Sequence, residues 1–137
     1  MKRLLLPAMV LFLLLTGCQL PPERVPLQRL PENGPPLPYA ELLTRARAQA
    51  MAGTEAFYRD KWTEVEDAAK ALEQTARFLA KAEEVPAKNK DNLTELSGDL
   101  AKEANKLKEA AAAKKIDETN EALKRINAKV RALRLAD

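Results

Sequence analysis

The sequence predicts an all-α protein, an antiparallel up-down helical bundle that follows an export signal and a proline-rich linker. Three observations predict it. From Tyr39 onward proline occurs only at Pro86, and alanine, leucine, lysine and glutamate dominate; these are strong helix formers. Apolar residues in that stretch recur at intervals of three and four, the period of packed helices. Ahead of it, residues 19–38 hold seven prolines, which lack an amide hydrogen and fix φ, so that neither helix nor central strand persists.

Four apolar seams carry the expected core. Tyr39, Leu43, Ala46, Ala50, Gly53 and Phe57 form the first, and Tyr58, Trp62, Val65, Ala69, Leu72, Ala76 and Leu79 the second. Leu93, Leu96, Leu100, Ala104, Leu107 and Ala111 form the third, and Ile116, Thr119, Leu123, Ile126, Val130 and Leu133 the fourth. Glu84-Val85-Pro86 interrupts the pattern because proline disfavours helix in the residue before it. Lys114-Lys115-Ile116-Asp117 is a second break, with Asp117 placed to cap the last helix.

Between Gly53 and Tyr58 the seam slips by one residue, and two layouts satisfy it. A tight turn gives four helices of about 20 residues each. A single kinked helix over residues 39–83 gives three, but at ~68 Å it would leave half its apolar stripe without a partner inside the chain. The four-helix layout is therefore the leading expectation. Glu73/Arg77 and Glu121/Arg125 stand at the four-residue spacing of helical ion pairs.

Composition narrows function by exclusion. The chain has no histidine, one cysteine (Cys18) and one serine (Ser97). Histidine is the usual base near neutral pH and the commonest metal ligand, and neither a Ser-His nor a Cys-His nucleophile pair can be assembled. Ser97 reads as exposed filler and Met51 as a core or surface filler. Gly98, inside the third helix, reads either as a close approach or as a bend. Glu64, Glu66 and Asp67, or Glu83 and Glu84, lack the histidine of a di-iron bundle site. These absences lead to the expectation of a non-enzyme without cofactor or metal. Setting aside Lys2 and Arg3 leaves 21 basic against 20 acidic side chains, without the electrostatic footprint of a nucleic-acid binder.

The N-terminus is the most specific part of the chain. Met1-Lys2-Arg3 precedes Leu4 to Leu15, a 12-residue run interrupted only by Pro7. The run is too short to span a bilayer and suited to a secretory signal. Leu15-Thr16-Gly17-Cys18 follows, and it resembles the lipobox of bacterial lipoproteins. The resemblance implies cleavage between Gly17 and Cys18 and a diacylglyceryl thioether on the Cys18 sulfur. It also implies a lasting anchor, because two or more acyl chains hold firmly. Residues 1–17 are then the signal, 18–38 a lipidated cysteine with an extended spacer, and 39–137 the helical domain. In enterobacterial lipoproteins an aspartate after the cysteine retains the protein in the inner membrane. Gln19 stands there instead, which leans towards the periplasmic face of the outer membrane. The spacer leucines (Leu20, Leu27, Leu30 and Leu37) are expected to lean on the helices or on lipid.

Two features remain. Phe57, Tyr58 and Trp62 gather half of the six aromatic residues, either as a plug where two seams meet or as a patch for a partner. The four-helix order, together with the final helix EALKRINAKVRALR, resembles the cytochrome c-prime fold. That family attaches haem through Cys-x-x-Cys-His in its last helix. Here Asn127-Ala128-Lys129-Val130-Arg131 occupies the stretch, so the resemblance implies a fold without haem. The leading expectation is a membrane-anchored, non-enzymatic module with a structural role or an envelope protein partner. The alternative is a binder of a small apolar ligand, descended from such a bundle.

Overall fold

The computed structural model describes residues 29–134, and within them the chain is helical without a single strand. Helix α1 spans Tyr39–Tyr58, α2 Trp62–Leu79, α3 Ala87–Lys90, α4 Leu93–Ala112 and α5 Ile116–Ala132. Helix α3 is a single turn, so four long helices carry the core. Each packs on two others: α1 on α2 and α5, and α4 on α2 and α5. The kinked 39–83 helix does not form, because Arg59-Asp60-Lys61 separates α1 from α2.

The break falls at Asp60 rather than at Gly53. Gly53 is buried inside α1, where an added Cβ would sit 3.3 Å from the Cβ of Ala68 on α2. There glycine serves the close approach of two helices, and the turn is made by other means. The Asp60 amide donates to Phe57 O (3.1 Å) and the Lys61 amide to Ala56 O (2.9 Å), closing the last turn of α1. Lys114 and Lys115 close α4 in the same way on Ala111 O and Ala110 O. This closure needs a left-handed residue just past the helix, usually glycine. Here Asp60 (φ 56°) and Lys114 (φ 52°) take that conformation. Asp117 does not cap α5; it lies in the first turn, and the cap position is Lys115, whose side chain makes no capping bond.

The seams form one core cluster, with Leu42 beside Leu43 and Ala56 beside Phe57 as its unforeseen members on α1. Two seam residues stand outside it. Ile116 is 63% exposed and Tyr58 76%, since each lies at a helix end where the stripe runs past its neighbours. Ser97, expected at the surface, is buried, and its hydroxyl donates to Thr94 O (3.1 Å). Gly98 marks neither a close approach nor a bend: a Cβ there meets nothing within 4 Å, and α4 continues through it.

The proline-rich segment is not free of the helices over its last residues. Leu30 is buried, and the Gln74 side chain holds both of its backbone groups, Oε1 accepting from Leu30 N (2.9 Å) and Nε2 donating to Leu30 O (2.6 Å). Leu37 packs against the core. Glu83 N donates to Leu37 O (3.0 Å) and Tyr39 N to Glu83 O (2.8 Å). The segment thus runs alongside the second half of α2 and delivers the chain into α1. At that junction the fully buried Tyr39 hydroxyl donates to Leu133 O and accepts from Asn89 Nδ2 (2.8 Å).

Two measurements follow from these contacts. Gly98→Ala and Lys114→Gly each raise unfolding free energy by about 0.5–1 kcal/mol in denaturant titration, the first by gaining helix propensity and the second by relieving left-handed strain. Tyr39→Phe lowers it by about 1–3 kcal/mol, because Leu133 O and Asn89 lose a buried partner. Burial raises the Tyr39 phenol above its ordinary 10.0, against the lowering effects of the Asn89 bond and the Arg47 charge. The unfolded phenol therefore loses its proton first, and stability falls as pH climbs through 10 and beyond. In Tyr39→Phe that alkaline decline is flatter.

Candidate functional site

Gly17 and Cys18, the expected cleavage and lipidation residues, lie outside the described residues. Among the described ones the sequence singled out Phe57, Tyr58 and Trp62, and the α1–α2 turn brings them together. The Phe57 ring lies 5.7 Å from Tyr58 and 5.8 Å from Trp62 between centroids, the latter nearly edge to face at 81°. Phe57 and Trp62 pack partly into the core, whereas Tyr58 projects into solvent. The cluster is therefore packed against the core on its inner side and exposed to solvent on its outer side. Such aromatic groups gain from edge-to-face contact as well as from burial.

A groove of about 440 Å³ between α1 and α5 has no counterpart in the sequence reading. Ala50, Met51 and Val130 supply apolar lining, and Arg47, Arg131 and Arg134 the charge. Met51 is 70% exposed there, a surface residue rather than a core filler. Among the described residues no carboxylate lines this groove. The chain has seven arginines between Tyr39 and Arg134, and the other four are paired: Arg45 with Glu41, Arg59 with Glu55, Arg77 with Glu73, and Arg125 with Glu103. For Arg47, Arg131 and Arg134, no carboxylate partner occurs among the described residues. The signal was present in the sequence as basic residues at 47, 131 and 134, but only the pairing of α1 with α5 brings them together.

A second groove, of about 430 Å³ between α4 and α5, has the opposite character, with Lys106, Glu109, Lys115, Glu118, Glu121 and Arg125 mixed along it. Most of its charges are paired within the chain. Lys115 pairs with Glu118 and Lys124 with Glu121. Glu121 therefore does not take Arg125, as the four-residue spacing had led one to expect. Arg125 reaches instead across to Glu103 (2.7 Å), which also accepts from Lys106 (2.9 Å). Burial opposes the Glu103 charge, yet these two bonds outweigh it and hold its carboxyl below the ordinary 4.5. The expected Glu73–Arg77 pair does form, at 3.2 Å.

The stretch corresponding to the haem motif is occupied by packing. Asn127 Nδ2 donates to Leu123 O (2.9 Å) and reaches Thr54 Oγ1 (3.4 Å), Lys129 pairs with Asp99, and Val130 is buried. Among the described residues no three acidic or cysteine side chains gather as a metal site, and no helix is long and apolar enough to cross a membrane. Comparison with protein-family models, with curated proteins and with solved structures finds no match to this chain.

The two sides of the aromatic cluster separate by mutation. Tyr58→Ala leaves thermal stability within about 0.5 kcal/mol of the parent, since its ring is solvated. Trp62→Ala, which empties space against the core, costs about 1–3 kcal/mol.

Proposed function

We propose that this chain is an exported lipoprotein whose helical body is a non-enzymatic structural or protein-interaction module of the cell envelope. The Leu15-Thr16-Gly17-Cys18 box behind the apolar run carries the reading. The chemistry is specific: small residues admit the extended backbone to a peptidase, and the thiol is the one side chain there able to form a thioether. Gln19 inclines the proposed location to the outer membrane, on its periplasmic face.

The helices belong to the proposal as an up-down bundle. Tyr39 meets Leu133 while Thr54 meets Asn127, as expected for α1 and α5 running in opposite directions, and Asp99 with Lys129 and Glu103 with Arg125 give the same sense for α4 and α5. The Gln74 clamp on Leu30 sets where the leash leaves the body. From Cys18 to Leu30 an extended polyproline-like stretch at ~3.1 Å per residue covers about 37 Å, so the body works within a few nanometres of its anchor. The solvated side of Phe57, Tyr58 and Trp62 is the surface proposed for an envelope protein, because exposed aromatic groups with buried roots make rigid contacts at low entropic cost.

Intact mass of the mature chain from its native host checks the anchor. The expected species begins at Cys18 and carries a diacylglyceryl group, and Cys18→Ser abolishes membrane retention. A bare thiol at position 18, or a chain that still begins at Met1, overturns the proposal.

A further inference from the structure

Four arginines of the helical part are neutralised by carboxylates, and the three without a carboxylate partner among the described residues share one groove. Helix polarity does not account for all of them. Arg131 and Arg134 lie at the C-terminal end of α5, where a cation is welcome, but Arg47 lies in the first half of α1, towards its positive end. Three cations on one face repel one another, and nothing among the described residues relieves that repulsion. Guanidinium groups are the side chains best suited to phosphate, which they bind through paired N–H donors. The Arg131 Nε is already engaged with Asn127 O (3.2 Å), which sets the orientation of its fork. Beside the charges, Met51, Ala50 and Val130 offer apolar surface, with Met51 standing 70% exposed. Phosphate beside the onset of an acyl region is the chemistry of an acidic phospholipid at a membrane surface.

We propose that the α1–α5 groove docks the helical body onto acidic phospholipid headgroups of the membrane that holds Cys18, with Arg47, Arg131 and Arg134 on the phosphates and Met51 against the apolar margin. The leash permits it: about 37 Å of extended chain from Leu30 exceeds the width of two packed helices. The inference rests on the anchored reading for proximity, while the groove itself is independent of the anchor.

The test uses the full lipidated chain with Ala128→Cys, an exposed position beside the groove, carrying a polarity-sensitive dye. The labelled protein is placed on vesicles of phosphatidylcholine alone or mixed with phosphatidylglycerol. Retention on neutral vesicles reports the anchor separately. The expected result is a blue shift and quencher protection on the mixed vesicles only, reversed by high salt and weakened on the order of tenfold or more by Arg47→Gln with Arg131→Gln. Both residues are solvent-facing, and unchanged helical circular dichroism confirms that the variant is folded. Equal dye response on neutral vesicles, or no effect of the double substitution, overturns the proposal. Displacement by millimolar inorganic phosphate also overturns it, in favour of a soluble-phosphate site.

Discussion

The fold is closed at one end by a single phenol. The Tyr39 hydroxyl joins the start of α1 to the last turn of α5 and, through Asn89, to the short α3. Two residues earlier in the chain, Leu37 O of the proline-rich segment accepts from Glu83 N just past α2. Three connections that would otherwise fray are thereby fixed at one place. Helix ends leave unpaired carbonyls and amides, and here part of that requirement is met by tertiary partners rather than by local caps. None of the helices has a side-chain cap bond at its N-terminus. The ordering of α1 therefore depends on contacts over 94 residues of sequence rather than on its own first turn.

That dependence explains what could be read in advance. The seams were legible because a 3.6-residue period reports which face is buried regardless of which helix buries it. Leu100, Ala104, Leu107 and Ala111 on α4 and Leu123, Ile126 and Val130 on α5 are buried as their spacing required. The turns were less legible because they lack their usual glycine: Asp60, Glu84 and Lys114 adopt positive φ without it, and Gly53 and Gly98 occur where no turn forms. Tyr58 and Ile116 fit the period yet lie past the end of the packed region, a limit that periodicity does not encode.

Electrostatic partners were legible only within a helix. Glu73 with Arg77 follows from spacing, whereas Arg125 leaves its four-residue neighbour for the buried Glu103 on α4. The choice is physical: a carboxylate removed from water gains more from a guanidinium than an exposed one does. The arginine groove was illegible for the same reason, since Arg47 and Arg131 are 84 positions apart and become neighbours only through the α1–α5 contact. The aromatic cluster was legible as a cluster, because the residues lie within six positions, but its division into a packed and a solvated side depends on where α2 turns away.

The strap along α2 changes what the spacer means. Read from composition alone, residues 19–38 are a leash of about 60 Å. With Leu30 held at both backbone groups by Gln74 and Leu37 seated against the core, the last nine residues of that stretch add no reach. A glutamine that pairs both backbone groups of one buried residue is costly to release, because both groups would be left without partners. On the lipoprotein reading the body is therefore confined to a shell of about 37 Å, a few screening lengths deep, in which it meets the bilayer surface often. Such confinement raises the effective concentration of the groove at the headgroups, so that a contact too weak to hold a free protein suffices to orient a tethered one.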